Sequence, residues 1–191
     1  MRRLITVSGP TGSGKSAALR VAAGLFPYEV DLLLEPVFEE PGHSAPSDVF
    51  LRFEQAIIEA RATAAAASKS ETIVSERSLS EDCAVFVPLH LGLEHLEVFQ
   101  VNLLRTRCNE LIRQTPPVSS VLYLTASSDV LRRRLERDGS VPWLVSSLSE
   151  QVELYEVWYA KLRVPKLRID TSRIQPNQVA AQLVDFASRG A

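Results

Sequence analysis

Gly9-Pro10-Thr11-Gly12-Ser13-Gly14-Lys15-Ser16 follows an apolar run that begins at Leu4. Leu4, Ile5 and Val7 read as a buried strand, and Ala17, Ala18, Leu19, Val21, Ala22 and Ala23 as the helix that comes next. The pattern G-x-x-x-x-G-K-[ST] between a strand and a helix is a polyphosphate-binding loop. Its glycines let the backbone wrap close to the ligand, so that successive N–H groups point inward. The new helix sets its positive end at the same spot. Gly9, Thr11, Gly12, Ser13, Gly14, Lys15 and Ser16 are therefore the expected nucleotide-binding residues. Lys15 is long enough to reach the β- and γ-phosphates, and the Ser16 hydroxyl is an expected Mg²⁺ ligand.

Outward from this loop the chain alternates between strands and helices. Residues 29–34 read as a second strand, with Glu35-Pro36 at its carboxyl end. Ser47 and Asp48 open a helix whose Val49, Phe50, Phe53, Ile57 and Ala60 recur at helical spacing. Thr72-Ile73-Val74 is a third strand that ends at Glu76-Arg77-Ser78. A short helix over 80–87 and a longer one from about Leu93 to before Pro116-Pro117 follow. Val118 to Leu124 is a fourth strand, and Ser128-Asp129 caps a helix that carries Arg132, Arg133, Arg134 and Arg137. Gly139 to Pro142 breaks it, and Ser147 with Glu150 forms a capping box for a helix to about Arg163. Leu167 to Ile169 is a fifth strand and Val179 to Ala187 a terminal helix. This alternation predicts an α/β fold: a five-stranded parallel sheet with helices on both faces. Ligands sit beyond the carboxyl ends of the strands in such sheets, where the loop, Glu35 and Glu76-Arg77 all fall.

The 191 residues fit a single domain, residues 1–191, with a short lid at about 132–146. Hydrophobic residues make up 46% and charged residues 23%, enough for a full core. A net charge of −2 offers no global field for nucleic acid or anionic membrane. Cys83 and Cys108 lack metal-type spacing and suit a reducing cytoplasm. The apolar run after Met1-Arg2-Arg3 is too short for a signal sequence, and no stretch approaches membrane-spanning length. His43, His90 and His95 form no ligand pattern and read as loop or helix-surface residues. Tyr155 and Trp158 read as packing residues.

Taken together, these residues resemble the deoxynucleoside kinase family of P-loop phosphotransferases. The resemblance is carried by the phosphate loop, Leu34-Glu35-Pro36-Val37, Phe53 with Arg61, Glu76-Arg77-Ser78 with Asp82 and Phe86, and Tyr123-Leu124 leading into the arginine helix. It implies that Glu35 is the general base for the acceptor hydroxyl, a role in which a carboxylate need only orient and deprotonate the attacking oxygen. It implies that Glu76 helps hold Mg²⁺ and that Arg77 contacts phosphate near the reacting hydroxyl. A hard carboxylate suits Mg²⁺ and a planar guanidinium suits phosphate. Asp82 matches an aspartate that helps recognise the base. Arg134 and Arg137, three apart on one helix face, resemble the start of a lid that clamps phosphates. Family members pair through helices beside the sheet, so the resemblance also implies a homodimer.

This chain departs from the family at three places. Asp138-Gly139-Ser140-Val141-Pro142-Trp143 replaces a further arginine and acidic residues, and Phe38, Glu39 and Glu40 stand where an aromatic is expected. Glu54 takes the place of the base-reading glutamine in the register set by Phe53 and Arg61; a one-residue slip makes Gln55 the reader instead. Phe50, Leu51, Ile57 and Ile58 lie three and four residues from Glu54, so its carboxylate needs a partner from elsewhere. Ionised glutamate offers only acceptors, which fits a base edge with two donors, as the N1–H and amino group of guanine provide.

The expected acceptor-binding residues are therefore Phe50, Glu54, Gln55, Arg77 and Asp82. The expected catalytic set is Lys15, Glu35, Arg77, Arg134 and Arg137. The expected function is transfer of a phosphoryl group from ATP–Mg²⁺ to the 5′-hydroxyl of a deoxynucleoside. Two alternatives stand beside it. One is a kinase for a nucleoside monophosphate, a modified nucleoside or a hydroxymethylated base in DNA; the other is a regulator that binds nucleotide without transfer. A switch GTPase is disfavoured, because Leu124-Thr125-Ala126-Ser127 carries no guanine-reading segment after the fourth strand.

Overall fold

The computed structural model describes residues 2–189. Strands β1 (Arg3–Ser8), β2 (Asp31–Leu33), β3 (Thr72–Glu76), β4 (Val118–Thr125) and β5 (Lys166–Asp170) form one parallel sheet in the order β2-β3-β1-β4-β5. β1 is central, so the loop that follows it opens at the middle of the sheet, where the strand order reverses. Ligand crevices form at such switch points.

Both faces of the sheet are covered, and β4 displays the division along its length. Leu122 and Leu124 pack with α1 (Lys15–Ala22) and α9 (Pro176–Arg189), against Leu19, Val179 and Leu183. Val121 and Tyr123 turn to the opposite face, against Tyr155 and Trp158 of α8 (Leu148–Lys161) and against Val85 and Phe86. All four β4 side chains are fully buried. Alternation in a strand sends successive side chains to opposite faces, so a strand buried on both sides reads as a continuous apolar run. Tyr155 and Trp158 are buried here as expected.

A second helical layer holds α2 (Ser47–Ala67) and α5 (Val98–Ile112) around Phe50, Ile58, Leu104 and Cys108. Between them the chain from Leu79 to Gly92 is helical, but not as one plain helix. α3 (Leu79–Glu81) passes into a π-turn at Asp82–Phe86 and then α4 (Val87–Gly92). Pro88 supplies the reason, because it has no N–H to return to the preceding turn and its ring crowds that turn's carbonyl. The wider i→i+5 winding, with the Val87 N–H on Asp82 O, relieves that conflict.

Several boundaries differ from the sequence reading. β2 is shorter than residues 29–34 and pairs only through Asp31, Leu32 and Leu33. α5 starts at Val98 rather than near Leu93, because Glu94 adopts a left-handed φ of 57° and the His95 N–H turns back to His90 O. Ser147 does not cap α8 through its side chain; its hydroxyl donates to Leu144 O. The capping box lies instead at Glu97 with Gln100, opening α5. α6 (Ser128–Arg137) ends as expected, and a short α7 (Pro142–Ser146) follows, starting on Pro142.

Candidate functional site

The phosphate loop is shaped by backbone that only glycine adopts with ease. Gly9 has φ 140°, and a β-carbon there would lie 2.0 Å from Leu124 O of the neighbouring strand. Gly14 closes the loop in the left-handed region at φ 91° and brings no side-chain cap to α1. The first N–H groups of α1 are thus left for an anion. Ser13 Oγ is buried without a protein partner beside them. Lys15, 4% exposed, reaches back across the loop to donate to Gly9 O at 2.9 Å and Pro10 O at 3.1 Å. Burial, then repulsion from Arg77, lowers its ammonium to about 8. The loop is tied to α8 by the Thr11 N–H, which donates to Gln151 Oε1 at 2.6 Å.

A cavity of about 550 Å³ opens over this loop, lined by Lys15, Ser16, Arg20, Arg134, Arg137 and Thr171 among others. Arg134 donates to Gly12 O at 3.0 Å, Thr171 Oγ1 at 3.1 Å and Thr171 O at 2.8 Å, binding α6 to the loop. Burial, then Arg137 nearby, lowers its guanidinium from the usual value. Arg137 reaches the same cavity but is exposed and paired with Asp138 at 2.9 Å. Arg132 and Arg133 are exposed and line neither this cavity nor the next.

At the end of β3 the sheet delivers two charged side chains to the junction. Glu76 accepts from Ser16 Oγ at 2.8 Å through Oε1 and from the Glu35 N–H at 3.3 Å through Oε2. Arg77 takes a left-handed φ of 64°, a strained setting for a residue of this size, and its side chain is 7% exposed. Arg77 Nη1 donates to Glu35 Oε1 at 2.6 Å, Nη2 donates to Thr11 Oγ1 at 3.2 Å, and the guanidinium carbon sits 4.1 Å above the Phe86 ring. Glu35, partly buried, also receives Arg61 Nη2 at 3.5 Å. Burial pushes the Glu35 carboxyl up, but Arg77, Arg61 and Lys15 outweigh it and hold the group below its usual value.

Beneath these groups lies a layer that sequence spacing does not reveal. Arg61 Nε donates to Asp82 Oδ2 at 2.8 Å, and Arg61 also binds Glu76 O. Burial drives the Asp82 carboxyl up to about 7, against the pull of Arg61. Glu81, fully buried, accepts from Ser8 Oγ at 2.5 Å and from the Tyr155 hydroxyl, and lies 3.7 Å from Arg77 Nε. Burial raises its carboxyl. Glu81 comes from α3, while Tyr155 and Gln151 come from α8, far from it in sequence, so no local motif signals their meeting.

A second cavity of about 320 Å³ shares Thr11, Ser16, Arg20, Glu35, Glu76 and Arg77 with the first. Its far wall carries Phe53, Glu54, Asp82, Phe86, His90 and Trp143. Asp82, Phe86 and His90 recur every four residues, and this spacing was the available signal for His90. Glu54 lines the cavity and Gln55 does not. Phe50 is corrected in the same way: it is fully buried behind the wall, stacked on His95 at 3.9 Å, while Phe53 faces the cavity.

The reading of the histidines is also corrected. His90 and His95 are 1% and 3% exposed. Glu54 Oε1 meets His90 Nε2 at 2.9 Å, so the partner its apolar helix face lacked comes from α4. Trp143 closes the wall, its indole N–H donating to Pro41 O at 3.2 Å.

The family model described as deoxynucleoside kinase matches residues 5–187. Among solved structures, a deoxyadenosine kinase from M. mycoides with bound dCTP superposes with a TM-score of 0.73. It covers 97% of this chain and 99% of its own, at 17% identity. At that identity the likeness is one of fold. No curated protein matched the chain.

Proposed function

Because the chain belongs to the deoxynucleoside kinase family, we propose that it moves the γ-phosphoryl group of ATP to the 5′-hydroxyl of a deoxynucleoside seated between Glu35 and Glu54. The chain is a kinase by family. The placement of the acceptor rests on one observation: Glu35 stands at the wall common to the two cavities and, among the described residues, is the strand-end carboxylate there whose side-chain partners are all cations of the site.

The donor's phosphates fit the first cavity. Backbone N–H groups of the loop and the open end of α1 surround them, and Lys15 swings from Gly9 O and Pro10 O to the β- and γ-phosphates. Mg²⁺ fits the oxygen pair Ser16 Oγ and Glu76 Oε1, which already lie 2.8 Å apart. Hard all-oxygen donors with few protein ligands suit this ion, which keeps waters and substrate phosphates in its shell. When bound it neutralises charge on the phosphates.

Glu35, ionised at neutral pH, accepts the hydrogen bond of the 5′-hydroxyl and takes its proton as the bond to phosphorus forms. A loose transition state puts little charge on the attacking oxygen until late, so a carboxylate of low basicity is sufficient. Arg77 holds Glu35 in place and stands beside Thr11 of the loop, where charge accumulates on the transferred group. Arg134 and Arg137 flank the other side of the phosphates, and residues 132–146 act as the lid. Closure keeps solvent from taking the phosphoryl group in place of the acceptor.

The cytoplasm is the compartment we assign, supported by two free cysteines. Among the described residues no helix is long and apolar enough to cross a membrane. Pairing of two copies through α5 is supported by exposed Val98, Phe99 and Leu103 on that helix. The test of function is a panel of nucleosides and nucleoside monophosphates with ATP and Mg²⁺. A deoxynucleoside should be the best acceptor, and Glu35→Gln should lower kcat by at least about a hundredfold, the usual share of general-base catalysis. Full transfer by Glu35→Gln removes the assigned base, and a monophosphate as best acceptor removes the assigned substrate.

A further inference from the structure

Glu54 is 2% exposed, yet it does not end in a sealed interior. Its Oε1 lies 2.9 Å from His90 Nε2, His90 Nδ1 lies 3.0 Å from His95 Nδ1, and His95 Nε2 lies 2.9 Å from His43 Nδ1. His43 is exposed, so four groups run in line from the acceptor cavity to the surface. Phe50 stacks on His95, and Trp143 meets its ring edge-on at 5.2 Å, so apolar walls enclose the middle of the line.

A neutral imidazole has one N–H and one bare nitrogen. With Glu54 ionised and three neutral rings, one arrangement of protons satisfies every contact. His43 Nδ1–H donates to His95 Nε2, His95 Nδ1–H donates to His90 Nδ1, and His90 Nε2–H donates to Glu54 Oε1. Burial, then His90 and His43, holds His95 down at about 4, so the centre of the line is uncharged at neutral pH.

We propose that His90, fixed in this tautomer by His95 and His43, is a positioning residue for base selection: it keeps Glu54 an ionised double acceptor, and the histidine line carries a proton between solvent and that carboxyl. The inference rests on the acceptor reading given above and names the group that decides the base. The proton step balances. One proton binds His43 Nε2, and each N–H then moves one contact inward, from His43 to His95, from His95 to His90, and from His90 to Glu54. Every ring ends neutral in its other tautomer, and the one charge removed is that of the carboxylate.

Ionised Glu54 suits a base edge with two adjacent donors, the N1–H and amino group of a guanine. A proton delivered by the line sits on Oε1 and donates to the now bare His90 Nε2, so the carboxyl loses the charge that makes it a strong acceptor for guanine's two donors. Other charges face the pair from each neighbouring element. Asp82 of the π-turn and Glu40 of the segment after β2 act on Glu54, Glu35 and Arg77 line the same cavity, and Arg61 of α2 is bonded to Asp82. Cys108 of α5 lies behind them.

The test is the ratio of kcat/KM for deoxyguanosine to that for deoxyadenosine, followed with pH in the full-length enzyme. It should fall as the pH is lowered, and in Glu54→Gln it should be low and flat. His90→Phe should lower the ratio at neutral pH by about tenfold or more, the scale of one unpaired buried polar group. His90→Gln, which keeps an N–H, should restore part of it. A ratio that His90→Phe leaves in place, or equal losses on both nucleosides, overturns base selection by His90. Imidazole ¹⁵N resonances give a second readout, expected as Nε2–H for His90 and Nδ1–H for His95. A His90 imidazolium or Nδ1–H form at neutral pH overturns the proton line whichever nucleoside the enzyme accepts. Failure to phosphorylate any deoxynucleoside ends the acceptor reading and base selection with it, while the tautomers still decide the line.

Discussion

Lys15 and Arg61 illustrate how two equally buried cations do opposite work. Lys15 is buried without a carboxylate bonded to its ammonium, and its pKa falls to about 8. Triphosphate favours the charged form, so binding must raise that value. Above about pH 8 the free enzyme's Lys15 is mostly neutral, and ATP binding should then take up a proton and weaken as pH rises. Calorimetry in buffers of different ionisation enthalpy measures this uptake, and Lys15→Met should abolish it. Arg61 instead completes a buried pair with Asp82 and braces Glu35. Arg61→Met leaves Asp82 buried and unpaired, which should cost about 3–5 kcal/mol in chemical denaturation. It should also lower kcat, because Glu35 loses one of its two arginine partners. Of these roles, that of Lys15 was legible from the loop pattern alone. The pairing of Arg61 with Asp82 was not, since twenty-one positions separate them and the π-turn sets the direction in which Asp82 faces.

Elements matter here through what they close. α7 is only five residues long, but its Trp143 packs with Leu131, Leu135, Leu144 and Leu148, lines the acceptor cavity and donates its indole N–H to Pro41 O. It thereby fastens the segment after β2 to the segment after α6. Trp143→Ala should cost about 3–5 kcal/mol of stability, the usual effect of deleting a buried tryptophan. It should raise KM for the nucleoside more than KM for ATP, because Trp143 lines the acceptor cavity and not the other. Equal changes in both KM values would place α7 in general packing only. The break at Gly139 to Pro142 was visible in the sequence, yet the short helix beyond it was not separable from loop. Five residues give no periodicity to read. The helix across 79–92 was legible as helix, whereas its π-turn follows from a conflict at Pro88 that only the backbone resolves.

At the scale of the whole molecule, two cavities share a wall built from the phosphate loop, α1, the segment after β2 and the end of β3. A single compound with a nucleoside at each end of a polyphosphate chain spans both. It should raise Tm by more than ATP and the nucleoside added together, since it meets both sites at the entropic cost of one ligand. A shift no larger than that of ATP alone would indicate that the cavities do not join. The parallel sheet and the phosphate loop were settled by sequence, because strand–loop–helix spacing and buried apolar runs are local properties of the chain. The same holds for Glu35 and Glu76-Arg77 at the strand ends, where alternation places them. What tertiary structure alone decided is which side chains share a charge: Glu54 with His90, Arg61 with Asp82, Glu81 with Tyr155. A buried ion needs a counter-group from any element that packs against it, and packing between elements distant in sequence leaves no period or spacing behind.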